Sequence, residues 1–300
     1  MKRTILNLCK NKTLGVKSVG VTSYDYPFSK IINACDDIDF IVVGDTAGST
    51  VHGEPDLNKV TMETMITHCN SVAKGAPNKF LIGDMPFMSY QSCTKIAIEN
   101  AGRFVRAGMD AVKLEGYYPD KIDAISNAGI IAMGHLGLTP QTRAKFGGYK
   151  IQAKTSDEIE NLVKQSKGVE EAGAALLLLE AVPDDVGGIV SKELKIPVIG
   201  IGAGNKVDGQ VVIIHDMLGM FWDFKPKFIK QYTNLDGHIT EALKNYAKDV
   251  TSQQFPNEKY FYNINPMELE KYMARKNWKY EKIKHEVLGI HEVKNPNHTS

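Results

Sequence analysis

Eight short segments of the chain are almost entirely apolar, and polar or helix-forming stretches separate them. They cover residues 18–24, 38–45, 79–86, 111–116, 130–137, 175–183, 197–204 and 211–219. Most of these segments lack the alternation of apolar and polar residues that marks a strand exposed on one face. A continuous apolar run is typical of a strand that is buried on both faces. The pattern therefore predicts eight buried, parallel strands.

The stretches between the strands indicate helices. Residues 61–75 have apolar positions at helical spacing and follow Thr61, a favourable N-cap residue. Two further helices, at 92–108 and 156–173, are each expected to begin at a serine and to end at a glycine. The connection from 138 to 174 is longer than usual, and we expect its first part to form an ordered loop over one face.

Eight strands that alternate with helices favour an α/β fold of the (β/α)8 TIM barrel type. An open, doubly wound sheet is the alternative, but the count of eight and the polar residues after most strands favour the barrel. We assign residues 1–262 to the barrel, as the catalytic domain. Residues 263–300 are highly charged and no strand follows them. They are predicted to form a C-terminal helical extension that packs on a neighbouring subunit or on the barrel's exterior.

Composition narrows the class of protein. The 300 residues are 43% hydrophobic and 24% charged, which is ordinary for a globular protein. A net charge of +1, from 36 basic and 35 acidic residues, creates no field for nucleic acid or a membrane surface. No apolar run is long enough to span a bilayer, and the N-terminus does not read as a signal peptide. The four cysteines show no close pairing, so we interpret them as reduced thiols in a cytoplasmic protein.

Three carboxylates stand at or near the ends of consecutive predicted strands: Asp45, Asp84 and Glu115. In a barrel the active site lies at the C-terminal ends of the strands, so these side chains are expected on one rim. Like charges placed together repel one another unless a cation lies between them. A ligand set of oxygen atoms alone favours a hard ion, most simply Mg²⁺. A strand-end aspartate can equally cap a helix or stabilise a loop, and both interpretations stay open at this point.

Other strand ends carry further candidates. Lys113 lies two residues before the third carboxylate and faces the same way. Glu180 follows four leucines, where burial would raise its pKa towards that of a useful base, although it could also point into solvent. His135 and His215 are as consistent with packed histidines as with functional ones. The glycines at 200–205 could bind an anion or simply let the backbone turn.

Long strings along the chain resemble one known family, ketopantoate hydroxymethyltransferase (3-methyl-2-oxobutanoate hydroxymethyltransferase). The resemblance covers residues 1 to about 255 and rests on strings in a fixed order. They are "TSYDYPFSK" (22–30), "VVGDTAG" (42–48), "VAKGAP" (72–77), "DMPFMSY" (84–90), "VKLEG" (112–116), "GHLGLTPQ" (134–141), "FGGYK" (146–150), "LLLEAVP" (177–183) and "IPVIGIGAGNKVDGQVVIIHDMLG" (196–219). The resemblance implies a (β/α)8 barrel and a homodecamer.

The resemblance also implies roles for the strand-end residues. It places Mg²⁺ on Asp45 and Asp84, with Glu115 in the metal shell. It implies that a 2-keto acid substrate binds the metal and contacts Asp45, Thr46, Asp84 and Lys113. Physical chemistry agrees, because a cation and a lysine both stabilise the negative charge that develops on a keto oxygen.

The proton acceptor implied by the resemblance is Glu180, which would remove a proton from the carbon beside the carbonyl. The resulting enolate would attack the one-carbon unit of 5,10-methylenetetrahydrofolate and yield 2-dehydropantoate (ketopantoate), a step in pantothenate and coenzyme A biosynthesis. One alternative is another Mg²⁺-dependent lyase or mutase of the phosphoenolpyruvate mutase/isocitrate lyase superfamily. Another is a catalytically silent barrel that serves in binding or assembly.

The chain departs from the family pattern near the predicted site. Thr46 stands where the family commonly has serine, which keeps the hydroxyl and adds a methyl group. Tyr117 stands where a second glycine commonly follows the Glu-Gly of strand four. We expect the ring of Tyr117 to narrow or reshape the substrate pocket beside the metal.

Overall fold

A closed barrel of eight parallel strands forms the centre of the computed structural model, which describes residues 2–220 and 226–276. Each strand pairs with the next, and the last pairs with the first. The strands are β1 (Ser18–Thr22), β2 (Phe40–Val43), β3 (Phe80–Asp84), β4 (Ala111–Glu115), β5 (Ile131–Gly137), β6 (Leu176–Glu180), β7 (Val198–Ile201) and β8 (Gly209–Val212). The predicted (β/α)8 barrel is confirmed, with a strand inside each of the first seven apolar segments and across the start of the eighth.

One helix precedes the first strand, and further helices follow the strands. They are α1 (Ile5–Leu14), α2 (Tyr26–Ala34), α3 (Ala47–Thr50), α4 (Met62–Gly75), α5 (Thr94–Arg106), α6 (Pro119–Asn127), α7 (Ser156–Glu171), α8 (Asp184–Glu193) and α9 (Ile214–Leu218). Thr61 caps α4 as predicted, because its side chain accepts a hydrogen bond from Thr64 N. Helix α7 is capped one residue earlier than expected: Thr155, with Glu158, forms a capping box.

Large apolar side chains fill the barrel near the N-terminal ends of its strands. Phe40, Phe80 and Met133 are fully or almost fully buried in its interior, and Leu8 of α1 belongs to the same cluster. Gly20 of β1 makes room for this layer, since a Cβ atom there would lie 2.2 Å from the ring of Phe40. The barrel is therefore closed at its N-terminal end, and only the C-terminal ends of the strands can hold a ligand.

The last predicted strand is longer than the observed one. The sequence pattern assigns 211–219 to a strand, but β8 ends at Val212 and the apolar residues that follow form α9. Gly219, with a φ of +71°, then ends this helix. A continuous apolar run satisfies a buried strand and a buried helix equally well, so the pattern alone does not show where one becomes the other.

The long connection after β5 is ordered, as expected. Its first part forms a 3₁₀ helix, Pro140–Phe146, and its second part runs to the start of α7 without a helix or strand. Tyr149, Ile151 and Lys154 from this segment line the cavity at the C-terminal ends of the strands. The connection thus forms one wall of the site.

The chain forms two compact units that meet in sequence after Asp236. The second unit holds most of α10 (Leu235–Thr251) and α11 (Pro266–Arg275). Helix α11 lies in the segment predicted to be a helical extension, and residues 277–300 lie outside the described residues. This boundary precedes residue 262, and the assignment of 1–262 and 263–300 as catalytic domain and extension stays a prediction. Between residues 2 and 276, leaving out 221–225, the helices are all too short or too polar to cross a bilayer.

Candidate active site

A cavity of about 950 Å³ opens at the C-terminal ends of the strands. Its deep part is polar, although the barrel beneath it is apolar. All six residues singled out from the sequence line it: Asp45, Thr46, Asp84, Lys113, Glu115 and Glu180. His135 also lines it, whereas His215 does not. The rings of Tyr24 and Phe28 flank His215, so for this histidine the structure favours the packed alternative.

The three carboxylates expected on one rim do converge. Asp45, Asp84 and Glu115 are each at most 3% exposed. The backbone N–H of Asp45 donates to Asp84 Oδ2 over 3.1 Å, which fixes the loop after β2 against the end of β3. Pairing of consecutive strands brings these side chains together, since β2, β3 and β4 are neighbours in the barrel.

Lys113 is the cation of this cluster. Its Nζ lies 2.9 Å from Asp84 Oδ1 and 3.8 Å from Glu115 Oε2. It also lies 3.2 Å from His135 Nδ1. Burial alone would lower the pKa of Lys113, but the surrounding carboxylates outweigh it and raise the pKa above its usual value. The side chain therefore stays charged, and it compensates only part of the negative charge around it.

His135 connects this cluster to Glu180. Lys113 has only donors to offer, so His135 Nδ1 accepts, and the ring proton must then sit on Nε2. Nε2 lies 3.4 Å from Glu180 Oε2, without hydrogen-bond geometry. Burial, followed by the charge of Lys113, lowers the pKa of His135. The ring is therefore neutral, and its Nε2–H faces the side of the cavity where Glu180 stands.

Glu180 ends β6 across the cavity from the aspartates. Its side chain keeps 16% of its surface exposed, and burial raises its pKa. The next residue, Ala181, has a φ of +49°, a left-handed conformation that non-glycine residues seldom adopt. Its N–H donates to the carbonyl of Ile201 and holds this turn in place. The chain thus turns sharply after Glu180 and leaves a partly desolvated carboxylate at the cavity wall, as a general base requires.

Gln141 and Tyr90 were not among the predicted site residues, yet they hold the carboxylates in place. Gln141 Nε2 donates to Asp45 Oδ2 over 2.9 Å, and its backbone N–H donates to Glu115 Oε1 over 2.6 Å. Tyr90 Oη donates to the backbone carbonyl of Glu115 and lies 3.0 Å from Gln141 Oε1. One oxygen of Asp45 and one oxygen of Glu115 are therefore fixed by hydrogen bonds from Gln141. Both residues lie in the family-like strings, which is the signal that sequence reasoning passed over.

We expect replacement of Gln141 by leucine to weaken divalent-metal binding about 10-fold, the lower end of the effect of losing an outer-shell partner. The reason is that Asp45 loses the donor that orients it, while the backbone contact to Glu115 survives. Titration with Mn²⁺, followed by electron paramagnetic resonance, measures the affinity. Gln152→Leu, in the same connection, is the matched control because, among residues 2–220 and 226–276, the Gln152 amide donates to the Lys150 carbonyl and to no acid of the site. Equal affinity in parent and Gln141→Leu would contradict the expected role.

Thr46 keeps its hydroxyl inside the cavity. Thr46 Oγ1 lies 2.6 Å from Tyr24 Oη, in contact with a tyrosine that is itself 2% exposed. Burial raises the pKa of Tyr24 to about 12, so the phenol remains protonated. The phenol can then donate to Thr46 and leave the threonine's own proton free for a bound ligand.

Tyr117 does not enter the cavity. Its side chain is 44% exposed, and a Cβ atom added at Gly168 of α7 would lie 2.5 Å from Tyr117 Oη. Tyr117 is absent from the residues that line the cavity. The expectation that its ring narrows the substrate pocket is therefore wrong: the positive φ of Gly116 turns the ring outwards onto α7.

For this reason, Tyr117→Ala is expected to leave the Michaelis constant for a small acid substrate at its parental value. Steady-state kinetics with the acid varied will measure it. A several-fold change would show that the ring reaches the substrate after all. Since the ring packs on Gly168, a lower melting temperature of the variant is compatible with the prediction.

The glycines at 200–205 hold one of the chain's own carboxylates. Asp184 Oδ1 accepts hydrogen bonds from the backbone N–H groups of Asn205 and Lys206. A Cβ atom at Gly204 would lie 2.0 Å from the same oxygen. Of the two alternatives for this loop, anion binding or a simple turn, the first is met by the chain itself, because the bound anion is the Asp184 carboxylate. The loop also serves as a turn between β7 and β8.

The donor set of the deep cavity fits a hard divalent cation. No three His, Cys, Asp or Glu side chains between residues 2 and 276, without 221–225, are arranged to hold a metal ion by themselves. Mg²⁺ does not need such a set, because it commonly binds one or two carboxylates and completes its shell with waters and substrate oxygens. Asp84 Oδ1 is buried and contacts Lys113 Nζ at 2.9 Å, so one lysine faces three acids and leaves negative charge that a cation would balance. Burial, together with neighbouring acids, also raises the pKa of Asp45 and Asp84, which means that their charged forms are disfavoured. A bound cation would stabilise these charged forms.

Glu115 should make the stability of the metal-free protein depend on pH. Burial raises its pKa from 4.5 to about 7. Between these values the folded state holds a proton that the unfolded state has released, so this contribution to stability is present below about pH 4.5 and is lost as the pH rises through 7. Glu115→Gln mimics the protonated form. We expect the melting temperature of the parent to fall by a few degrees relative to Glu115→Gln between pH 5 and pH 8. A difference that stays constant with pH would contradict this.

Comparison with known proteins agrees with the geometry of the site. A family model described as ketopantoate hydroxymethyltransferase matches residues 2–258. A 3-methyl-2-oxobutanoate hydroxymethyltransferase of Clostridium botulinum (strain Alaska E43 / Type E3) is 45% identical over 274 residues, which cover 90% of this chain and 99% of the relative. The enzyme of the same description from Ignicoccus hospitalis (strain KIN4/I / DSM 18386 / JCM 14125) is 44% identical over 263 residues, which cover 87% and 99%.

Solved structures with a similar fold are much more distant in sequence. Phosphonopyruvate hydrolase in complex with oxalate and Mg²⁺ has a TM-score of 0.57 and 13% identity, and the match covers 96% of this chain and 100% of that one. A 2,3-dimethylmalate lyase of the phosphoenolpyruvate mutase/isocitrate lyase superfamily has a TM-score of 0.56 and 14% identity, with coverage of 97% and 100%. At this identity the likeness concerns the fold alone.

Proposed function

The chain belongs to the ketopantoate hydroxymethyltransferase family, and on that premise we propose that it transfers a hydroxymethyl group to 3-methyl-2-oxobutanoate. The one-carbon donor is 5,10-methylenetetrahydrofolate, the product is 2-dehydropantoate, and Mg²⁺ is the metal. The observation that supports this best is the pairing of a buried acid cluster with a second acid across the cavity. The cluster is Asp45, Asp84 and Glu115 around Lys113, and the second acid is Glu180.

The acid cluster and Lys113 would bind the keto acid. Asp45 and Asp84, with Glu115 near them, would hold Mg²⁺, which when bound supplies a Lewis acid for the keto oxygen. Lys113 lies among these groups and is charged, so it stabilises the negative charge of the substrate carboxylate and of the enolate. Thr46 directs a hydroxyl into the same space, where it can donate to a carboxylate oxygen.

Glu180 would act as the base. It removes the proton from C3 of 3-methyl-2-oxobutanoate, and the electron pair of that C–H bond becomes the enolate. C3 of the enolate then forms a bond to the one-carbon unit of the donor, the two C–N bonds of that unit break, and water supplies the new hydroxyl group. The two nitrogens of the departing tetrahydrofolate take up the proton held by Glu180 and the proton that the water releases. His135, with its proton on Nε2, is placed to orient Glu180 and to stabilise its charged form.

We also propose that the chain works in the cytoplasm as a homo-oligomer, and the decamer implied by the family resemblance is the assembly to test. All four cysteines are free thiols, which suits a reducing compartment. Size-exclusion chromatography with light scattering would measure the mass of the assembly.

The proposed function is tested in two assays with the purified protein. The first follows loss of the C3 hydrogen of 3-methyl-2-oxobutanoate in deuterated water, with Mg²⁺ and without folate. The second follows formation of 2-dehydropantoate when 5,10-methylenetetrahydrofolate is added. We expect Mg²⁺-dependent exchange in the first assay and product in the second. Absence of both would overturn the proposal.

A further inference from the structure

The cavity is far larger than the keto acid needs. A volume of about 950 Å³ lies near the upper end of the range of about 300–1,000 Å³ that holds drug-sized ligands. A five-carbon acid bound at the acid cluster fills only the deep part. The outer part is bounded by β7, β8, the connection after β5 and the segment around Phe228. A second ligand must therefore be larger than the first and must be recognised by the residues of this outer part.

Asp216 is a mostly buried acid in that outer part. It is 8% exposed and lines the cavity beyond β8. Within residues 2–220 and 226–276, no hydrogen bond or ion pair reaches its side chain, and burial alone raises its pKa to about 6. A mostly buried carboxylate on a cavity wall, with no partner among the described residues, can accept hydrogen bonds from a ligand in the cavity, so its position indicates a ligand that supplies donors.

The chemistry of Asp216 excludes the keto acid as that ligand. A carboxylate repels another carboxylate, and the keto acid offers no N–H group. The matching partner is a pair of adjacent N–H donors that can bind both carboxylate oxygens at once. The pterin ring of tetrahydrofolate carries such a pair, a ring N–H beside an exocyclic amino group.

We propose that Asp216 binds the amino-pyrimidinone edge of the folate donor's pterin ring, and this inference rests on the proposed function. The pterin then lies across the outer cavity, with its one-carbon unit directed towards Glu180. Phe228, whose ring packs on Gly202 at the end of β7, offers an apolar face to the ring system.

Positive charge at the mouth of the cavity fits the other end of the same ligand. Lys150, Lys154 and Lys227 line the cavity and are exposed, whereas the deep part is lined by acids. The folate tail ends in glutamate carboxylates, which lysines attract. The acid Asp216 would thus face the N–H groups of the pterin, and the lysines at the mouth would face the carboxylates at the other end of the donor.

Asp216→Asn tests the proposal, because asparagine keeps the shape but replaces one acceptor by a donor that faces the ligand's donors. We expect the Michaelis constant for 5,10-methylenetetrahydrofolate to rise on the order of 10- to 100-fold, the effect of losing a charged hydrogen-bond partner. Folate-free exchange of the C3 hydrogen should stay near the parental rate, because that half-reaction does not use the pterin. Asp185→Asn is the matched control: Asp185 is 85% exposed and lies outside the cavity.

The outcomes separate the two proposals. An unchanged Michaelis constant for the folate donor in Asp216→Asn overturns the inference and leaves the proposed function standing. Loss of exchange in the variant also overturns it, since Asp216 would then act on the keto acid. Loss of exchange in the parent overturns the proposed function itself. If Asp216→Asn fails to fold, binding of tetrahydrofolate and its 2-desamino analogue to the parent decides: equal affinities overturn the inference.

Discussion

Replacing Glu180 by glutamine is expected to lower the rate of C3 hydrogen exchange by about 10³-fold, within the range that a positioned general base contributes. Glutamine keeps the size of the side chain and its contact with His135 but has no basic oxygen. Glu180 lies on β6, across the cavity from the acids that are proposed to bind the metal. Mg²⁺ binding should therefore remain at the parental level, which separates loss of the base from loss of the metal.

The measurement is deuterium exchange by NMR, with Mn²⁺ affinity determined on the same preparation. Glu193→Gln serves as the matched control, since Glu193 pairs with Lys167 on the outside of the barrel. Exchange in Glu180→Gln at a rate close to that of the parent would show that another group takes the proton. His135, 3.4 Å from Glu180, would then be the next residue to replace.

Asp84→Asn is expected to abolish productive metal binding, with an affinity for Mn²⁺ lower by about 10²-fold or more. The aspartate is buried and contributes half of the negative charge that two aspartates offer a cation. Both exchange and transfer should fall with the metal, even though Glu180 is intact. The variant also removes the acid nearest to Lys113, so the lysine would be left with Glu115 alone at 3.8 Å.

Calorimetry with Mg²⁺ and exchange at saturating Mg²⁺ together test this prediction. If excess Mg²⁺ restores the exchange rate of Asp84→Asn, Asp84 contributes affinity only. If the variant binds Mg²⁺ as the parent does, Asp84 is not a metal ligand. Circular dichroism and thermal melting must show a folded protein in each case, because the substitution alters a buried ion pair.

The positions of the strands and of the acids were predictable because both depend on local patterns. A strand buried on both faces needs a continuous apolar run, and the carboxyl ends of parallel strands meet at one end of a barrel. Asp45, Asp84, Glu115 and Glu180 follow from these two rules. Their roles as metal ligands and base remain proposals that the predicted variants test.

The groups that complete the site depend on contacts between distant parts of the chain. Gln141 reaches Asp45 across 96 positions in the sequence, and Tyr90 reaches Glu115 across 25. The pattern of apolar and polar residues around Gln141 does not distinguish it from other polar loop residues, and only its place in the string "GHLGLTPQ" does so. Tyr117 is the opposite case, because it is close to Glu115 in sequence but does not join the site. The backbone turn at Gly116 prevents the contact that its position suggested. The sequence pattern placed Asp216 on the last strand, whereas it lies in α9, beyond the end of β8.

The filled barrel beneath the acids has a consequence for the timing of the reaction. Phe40 and Phe80, with Leu8 below them, close the inner end of the cavity, so the deep and outer parts share one entrance. A folate donor seated over the outer part would cover that entrance. The keto acid must then arrive first and its product must depart last, after tetrahydrofolate has left. The shape of the cavity would thus impose an ordered binding of the two substrates, without a conformational change of the protein.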